Sequence, residues 1–231
     1  MKFDDKDIIE IRGLNSNKVW DYENGWLWFS SPLRMSKIIA RYELYKRCIN
    51  LPGCCAEFGV YKGNSLFQIA TFRQILEFSE ARTIYAFGCF GSFPNDGIKD
   101  TEDKKFITRF SCEGGDATNF SDMIKLINHK GFKNIFLIEG DVRETFSDFL
   151  SENQHIRFNF VHLDMDVYEP TLFVLDKIYD RLVKGGIIMI DDYNFVSGAT
   201  RAVDKFLSSH QYLTIEKLSI CHTPSFIIKP N

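Results

Sequence analysis

One stretch, residues 159–195 (NFVHLDMDVYEPTLFVLDKIYDRLVKGGIIMIDDYNF), constrains the fold more than any other. It reads as strand, helix, strand. Residues 158–163 form a short apolar run that ends in two carboxylates, Asp164 and Asp166. Residues 171–183 have helical periodicity, with Leu172, Leu175, Ile178, Tyr179 and Leu182 on one face. Gly185 and Gly186 stop the helix, and residues 186–190 are apolar again, ending in Asp191 and Asp192. The strands of a β-α-β unit run parallel, so both acid pairs fall at the same edge of the sheet. That edge is where open α/β sheets bind ligands. Packed carboxylates repel and raise each other's pKa. A cation that prefers hard oxygen donors, Mg²⁺ or a similar ion, removes the conflict. One acid after a strand is more simply a helix cap or a solvated group; two pairs on neighbouring strand tips point to a metal.

The 231 residues, 45% of them hydrophobic, suit a single α/β domain with a full core. A net charge of -3 argues against nucleic acid or an anionic membrane surface as partner. No apolar run approaches the ~18 residues of a membrane span. The charged start MKFDDKDIIEIRG is unlike a secretory leader. The six cysteines include no C-x-x-C pair and fit a reducing, cytoplasmic setting. Cys54 and Cys55 are neighbours in an expected strand, so they point to opposite faces as small apolar fillers.

Taken in order, residues 1–30 are mixed and aromatic, with Trp20, Tyr22, Trp26, Trp28 and Phe29. They are expected to form a lid over the site or the surface of a homodimer, simple packing onto the sheet being the alternative. Ser30-Ser31-Pro32 reads as a helix start, and the helix runs to about residue 50 with Met35, Ile38, Ile39, Tyr42 and Tyr45 as its apolar stripe. Residues 54–58 form a strand that leads into E-x-G-x-x-x-G (Glu57, Gly59, Gly63) and a helix. On such a turn a nucleotide-like ligand meets backbone N–H groups and a helix N-terminus. Glu57 stands where a dinucleotide turn has its first glycine; it repels a pyrophosphate and attracts an amino group. The missing G-x-G-x-x-G disfavours a nicotinamide dehydrogenase, and the missing G-K-[ST] excludes a P-loop. Residues 83–87 and 134–138 read as strands, 120–128 and 142–153 as helices. The stretch 95–122 is polar and loop-like, an insertion with solvated charges rather than a second domain. Residues 201–208 read as a short helix, and 212–217 with 225–228 as an antiparallel strand pair at a sheet edge.

PGCCAEFGVYKGNS, YAFGCFGSFP, HLDMDVYEPT, LVKGGIIMIDDY and GATRAVDKF, in that order, together resemble the macrocin-type sugar O-methyltransferases. These are a metal-dependent class I S-adenosylmethionine (SAM) family, and the likeness covers residues 31–206. It implies an α/β, doubly wound, Rossmann-like class I methyltransferase fold: a mostly parallel seven-stranded sheet with an antiparallel C-terminal strand pair. It places Glu57, Gly59, Tyr61, Gly63 and Ser65 in the SAM-binding turn, Asp141 at the adenine side and Asp164 beside the cofactor. It makes Asp164, Asp191 and Asp192 the metal ligands and Asp166 the general base. His162 lies in the same pattern, as a catalytic group or as a satisfied buried histidine. The implied reaction is metal-dependent methyl transfer from SAM to a hydroxyl of a sugar-like or other vicinal-diol small molecule.

One position departs from the pattern. The family's F-D-x-F-x-x-F-P carries an acid that bonds the cofactor ribose; here Gly88 stands there. Charge-assisted hydrogen bonds are worth roughly 1.5–3 kcal/mol each, so the change weakens SAM binding on the order of ten- to a hundredfold. A non-catalytic, degenerate binding module of the same fold is the alternative that Gly88 raises.

Overall fold

The computed structural model describes residues 8–93 and 98–231. A small hairpin, β1 (Glu10–Ile11) and β2 (Leu14–Asn15), leads into helix α1 (Val19–Phe29). Helix α2 (Pro32–Cys48) follows, its first turn closed by the Ser31 hydroxyl accepting from the Leu33 amide and by Pro32 at the first position. Alternation of strand and helix then begins: β3 (Cys54–Phe58), α3 (Asn64–Leu76), β4 (Ile84–Gly88), α4 (Thr101–Gly114), α5 (Phe120–Lys130), β5 (Ile135–Glu139) and α6 (Val142–Glu152). The second half runs β6 (Phe158–Leu163), α7 (Tyr168–Arg181), β7 (Leu182–Ile190), α8 (Ser197–Ser209), β8 (Glu216–Lys217) and β9 (Ser225–Ile228).

Seven strands form one sheet in the order β5-β4-β3-β6-β7-β9-β8. The first five are parallel; β9 runs antiparallel to β7, and β8 antiparallel to β9. This is the expected methyltransferase sheet. The order reverses between β3 and β6, so a crevice opens at their carboxyl ends. Register makes those ends level: Phe58 lies beside Leu163, and Leu163 beside Ile190. The ladder continues one residue further, with the Asp164 amide donating to Phe58 O and the Asp191 amide to Leu163 O, both at 2.9 Å. The acids therefore leave the sheet side by side. Gly59 lies against them: a Cβ there would stand 1.9 Å from the Asp164 carbonyl oxygen, and its φ is +95°. No other residue fits that contact.

The core has two halves, one on each face of the sheet. Cys54 faces the half that contains Phe58, Phe146 and Leu175, and Cys55 belongs to the half that contains Leu44, Leu66 and Phe160, as strand alternation requires. The phenylalanines make the interior aromatic; Phe58 and Phe87 stack at 4.7 Å.

Three local expectations are corrected. Residues 95–97 lie outside the described residues, but the rest of the supposed loop contains α4. Asp100 caps that helix by accepting from the Glu102 and Asp103 amides, and Ile107 and Asp103 are buried on its inner side. The charge run that reads as solvated loop is the helix's first turn. In α2 the buried residues are Ala40, Arg41, Leu44, Tyr45 and Cys48, while Met35 and Ile39 are exposed. The strand expected over 212–217 shrinks to two residues, because Leu213 turns into the core instead.

Candidate active site

A cleft of about 690 Å³ opens at the carboxyl ends of β3, β4, β6 and β7. Of the residues singled out in the sequence, Gly59, Tyr61, Ser65, Asp141, Asp164, Asp166, Asp191 and Asp192 line it; Glu57 and Gly63 do not. Glu57 is fully buried. One of its oxygens accepts from the Ser65 hydroxyl and faces His162 Nδ1 at 3.3 Å; the other is buried with no partner. Gly63 caps α3 at φ +82°. Tyr61 donates from its hydroxyl to Gly114 O at 2.5 Å, which ties the turn after β3 to the end of α4. Asp141 caps α6, accepting from the Arg143 amide at 2.9 Å, and its carboxylate pairs with the Arg143 guanidinium, which holds its pKa below the usual range.

The four acids of β6 and β7 converge. Oxygens of Asp164, Asp166 and Asp192 lie within 4.8 Å of one another, and Asp164 belongs to a second such group with His162 and Asp191. Burial, then the charges of Asp191 and Asp192, push the Asp164 carboxyl well up. Burial, then Asp166 and Asp191, do the same to Asp192. Asp166 is pushed up to about 8 by burial and by Asp164 and Asp191. Its backbone sits at φ +65°, and its carbonyl accepts from the Ala199 amide in the first turn of α8. A strained residue held from two elements is common at functional sites. Asp191 moves the other way, to a low pKa: burial opposes its charge, but His162, Arg41 and Lys37 outweigh it. Burial likewise opposes a charge on His162, yet hydrogen bonds to Asp191 and Glu57 push its pKa up to about 9.

Sequence reading missed the basic residues of α2. Lys37 and Arg41 line the cleft with Arg34, and both pair with Asp191. A signal was available: positions 37, 41, 44 and 48 follow helical spacing, so the two cations extend the buried stripe instead of the wet face. The stretch 95–122, expected to help shape the acceptor pocket, contributes an apolar wall from α4, where Phe106 and Phe110, not singled out in the sequence, face the cleft. From the hairpin, Arg12 donates to Ala117 O on the cleft rim at 3.1 Å.

The macrocin-O-methyltransferase (TylF) family profile matches residues 34–220, most of the chain and all of this site. The chain belongs to that family. It is a SAM-dependent O-methyltransferase. It is 24% identical over 194 residues to demethyldecarbamoylnovobiocin O-methyltransferase of Streptomyces niveus, a match that covers 78% of this chain and 71% of that protein. It is 27% identical over 147 residues to the 8-demethyl-8-(2,3-dimethoxy-alpha-L-rhamnosyl)-tetracenomycin-C 4'-O-methyltransferase of Streptomyces olivaceus, covering 62% of this chain and 54% of that protein. Among solved structures, the O-methyltransferase NovP superposes with a TM-score of 0.73 at 17% identity, covering 85% of this chain and 80% of that one. The calicheamicin methyltransferase CalS11 gives 0.67 at 24% identity, covering 91% and 85%. Both carry the same fold.

In this methyltransferase the end of β4 offers no acid. Gly88 lies on the cleft wall, and a Cβ there would stand 3.3 Å from Val60 Cβ. An aspartate fits if Val60 yields a few tenths of an ångström. Gly88→Asp is expected to tighten SAM roughly tenfold, read by titration calorimetry, with Val60→Ala as a background that relieves the crowding. An unchanged affinity in both backgrounds shows that another group already holds the ribose.

Proposed function

We propose that this enzyme moves the methyl group of SAM to one hydroxyl of a sugar-like vicinal diol, with a divalent cation, Mg²⁺ or similar, in the acid cluster. The observation that supports it is the convergence of four carboxylates on one wall of a cleft whose floor is the turn after β3. Buried acids this close conflict unless a cation joins them, and all the acid donors are hard oxygens. Asp164, Asp191 and Asp192 would hold the ion. Of the expected cofactor residues, Gly59, Tyr61, Ser65, Asp141 and Asp164 line the cleft and would surround the cofactor, while Glu57 and Gly63 would shape the turn from behind it, Glu57 through Ser65 and Gly63 at the start of α3. A bound divalent ion supplies positive charge that favours ionisation of an alcohol beside it, and SAM supplies the electrophilic methyl. Asp166 takes the hydroxyl proton. The aromatic wall from α4 excludes water and orients the acceptor for in-line attack. Similar proteins, which include a tetracenomycin rhamnosyl 4'-O-methyltransferase and a TDP-rhamnose 3'-O-methyltransferase, support a sugar as the acceptor.

Calorimetry tests this reading directly. SAM is expected to bind, and Mg²⁺ to bind the same protein with a stoichiometry of about one. Absence of SAM binding with and without Mg²⁺ favours the degenerate binding module that Gly88 suggests.

The acceptor is a small molecule and no nucleic acid takes part. No helix among the described residues is long and apolar enough to cross a membrane, and the cytoplasm is the proposed compartment. Helix α1 buries none of its residues, and Trp28, Phe29 and Leu27 are 71%, 84% and 55% exposed. A helix of that length is marginal alone in water, and an apolar surface of this kind marks an interface. A second copy of the chain is the proposed cover, as a homodimer. Sedimentation should show a dimer that Trp28→Glu with Phe29→Glu converts to a monomer; a monomeric unaltered protein at about 10 μM overturns it.

A further inference from the structure

Three cations meet Asp191, and they are held very differently. Arg41 Nη2 donates to Asp191 Oδ1 at 2.9 Å, and the same guanidinium donates to Gln68 Oε1 at 3.0 Å; its side chain is 6% exposed. His162, fully buried, faces the same Oδ1 at 3.5 Å from Nε2 and reaches Glu57 with its other nitrogen. Both are buried and doubly held, Arg41 at the cleft wall and His162 beneath it. The other oxygen, Oδ2, is taken by the Lys37 ammonium. Lys37 is 21% exposed, lines the cleft, and makes no second hydrogen bond or ion pair among the described residues. A lysine ammonium rides on a flexible four-carbon stem, whereas a buried guanidinium fork does not swing away. The reach of that one charge is wide: it favours the ionised form of Asp164, Asp166, Asp191 and Asp192 alike. Lys37 thus stands at the mouth of the acid cluster, on the side open to solvent.

An ammonium and a divalent ion compete for such a place. An ion that shares Asp191 Oδ2 with the ammonium meets its charge at close range, and two cations at one carboxylate oxygen repel. We propose that Lys37 is an exchangeable internal cation, which neutralises Asp191 while the acid cluster holds no ion and gives up that carboxylate when a divalent ion enters, so that it sets the affinity of the site for metal. The proposal rests on the metal-dependent reading above. It also gives the first turns of α2 a role that a merely structural ion pair lacks: the released ammonium stays on the cleft wall beside Arg34.

The test is metal binding, not turnover. Metal-stripped full-length protein, Lys37→Met and Lys37→Gln are titrated with Mg²⁺ by calorimetry at pH 8, and their metal-free melting is followed by circular dichroism. Both neutral variants are expected to bind Mg²⁺ at least about fivefold tighter than the unaltered protein, to melt lower without metal, and to recover with it. Lys37→Arg keeps a competing charge and is expected to stay within about threefold of the unaltered affinity. A purely structural ion pair predicts the lower melting alone. Unaltered protein that binds Mg²⁺, with neutral variants that bind it no tighter, overturns the role of Lys37 and leaves the metal reading intact. Binding only after the lysine is removed upholds Lys37 as competitor and overturns metal dependence of the natural chain. No binding by any of them overturns both.

Discussion

Asp166→Asn is expected to lower kcat by roughly 10²- to 10⁴-fold, the usual contribution of a positioned base, while SAM affinity stays within about threefold. The substitution keeps the shape of the side chain and the backbone role of the position, and SAM affinity serves as the control for the charge it removes from the cluster. Residue 166 has φ +65°, and its carbonyl anchors the first turn of α8 through the Ala199 amide. Asparagine tolerates that left-handed backbone as well as aspartate does. A β-branched replacement adds backbone strain and confuses the result. Burial and the charges of Asp164 and Asp191 push its pKa up to about 8 in the metal-free protein; a cation in the cluster would favour the ionised form that a base must present. Formation of S-adenosylhomocysteine, with any acceptor that the unaltered enzyme methylates, measures the loss. A variant that retains more than about a tenth of kcat removes Asp166 from the base role and leaves the hydroxyl proton to solvent or to another acid.

Much of this arrangement is legible in the chain itself, for a physical reason. Parallel strands impose one edge on both acid pairs, so a pattern of two apolar runs, each ending in carboxylates, fixes where the acids go before any contact is known. Cys54 and Cys55 are read the same way, from the two-residue period of a strand. The helix start at Ser31-Pro32 is equally local. What escapes is what depends on partners distant in the chain. Helix α4 reads as loop because its first turn is charged, and only the docked fold shows that Asp103 is buried and receives the Tyr168 amide at 2.7 Å. Helix α1 lacks a one-sided apolar stripe and buries none of its own residues, so no periodicity reveals it. The cations of α2 are the costliest omission. Lys37 and Asp191 are 154 positions apart, and a lysine on a helix is ordinarily a wet residue. His162 is legible as a buried strand residue but not as the bridge between Glu57 and Asp191, since that requires the register of β3 against β6.

The second large effect is on stability, and its sign follows from the acids. In the metal-free protein Asp164, Asp166 and Asp192 hold their protons to higher pH than they would in an unfolded chain, Asp166 to about 8. His162 is raised as well, to about 9. Groups raised in the folded state give stability that is complete below their unfolded pKa and is lost as pH climbs through the folded value. Between the ordinary carboxylate range near pH 4 and about pH 8 the folded state binds the extra protons, so metal-free protein becomes less stable as pH rises. Asp191 is lowered instead; its contribution is lost only as pH falls below the usual carboxylate range, and it leaves the neutral window alone. A divalent ion replaces those protons. The melting temperature without metal is therefore expected to fall by several degrees from pH 5.5 to 8, at roughly 2–4 °C per kcal/mol for a chain of this size. Saturating Mg²⁺ should flatten that slope, with its largest stabilisation at the alkaline end and proton release on binding. Asp164→Asn, which removes the acid shared by both groups, should abolish the Mg²⁺ effect and raise the metal-free melting temperature at pH 8, because one member of a repelling set is gone. A Mg²⁺ shift that is the same at pH 5.5 and pH 8, or that survives Asp164→Asn, places the ion elsewhere on the protein and takes the acid cluster out of metal binding.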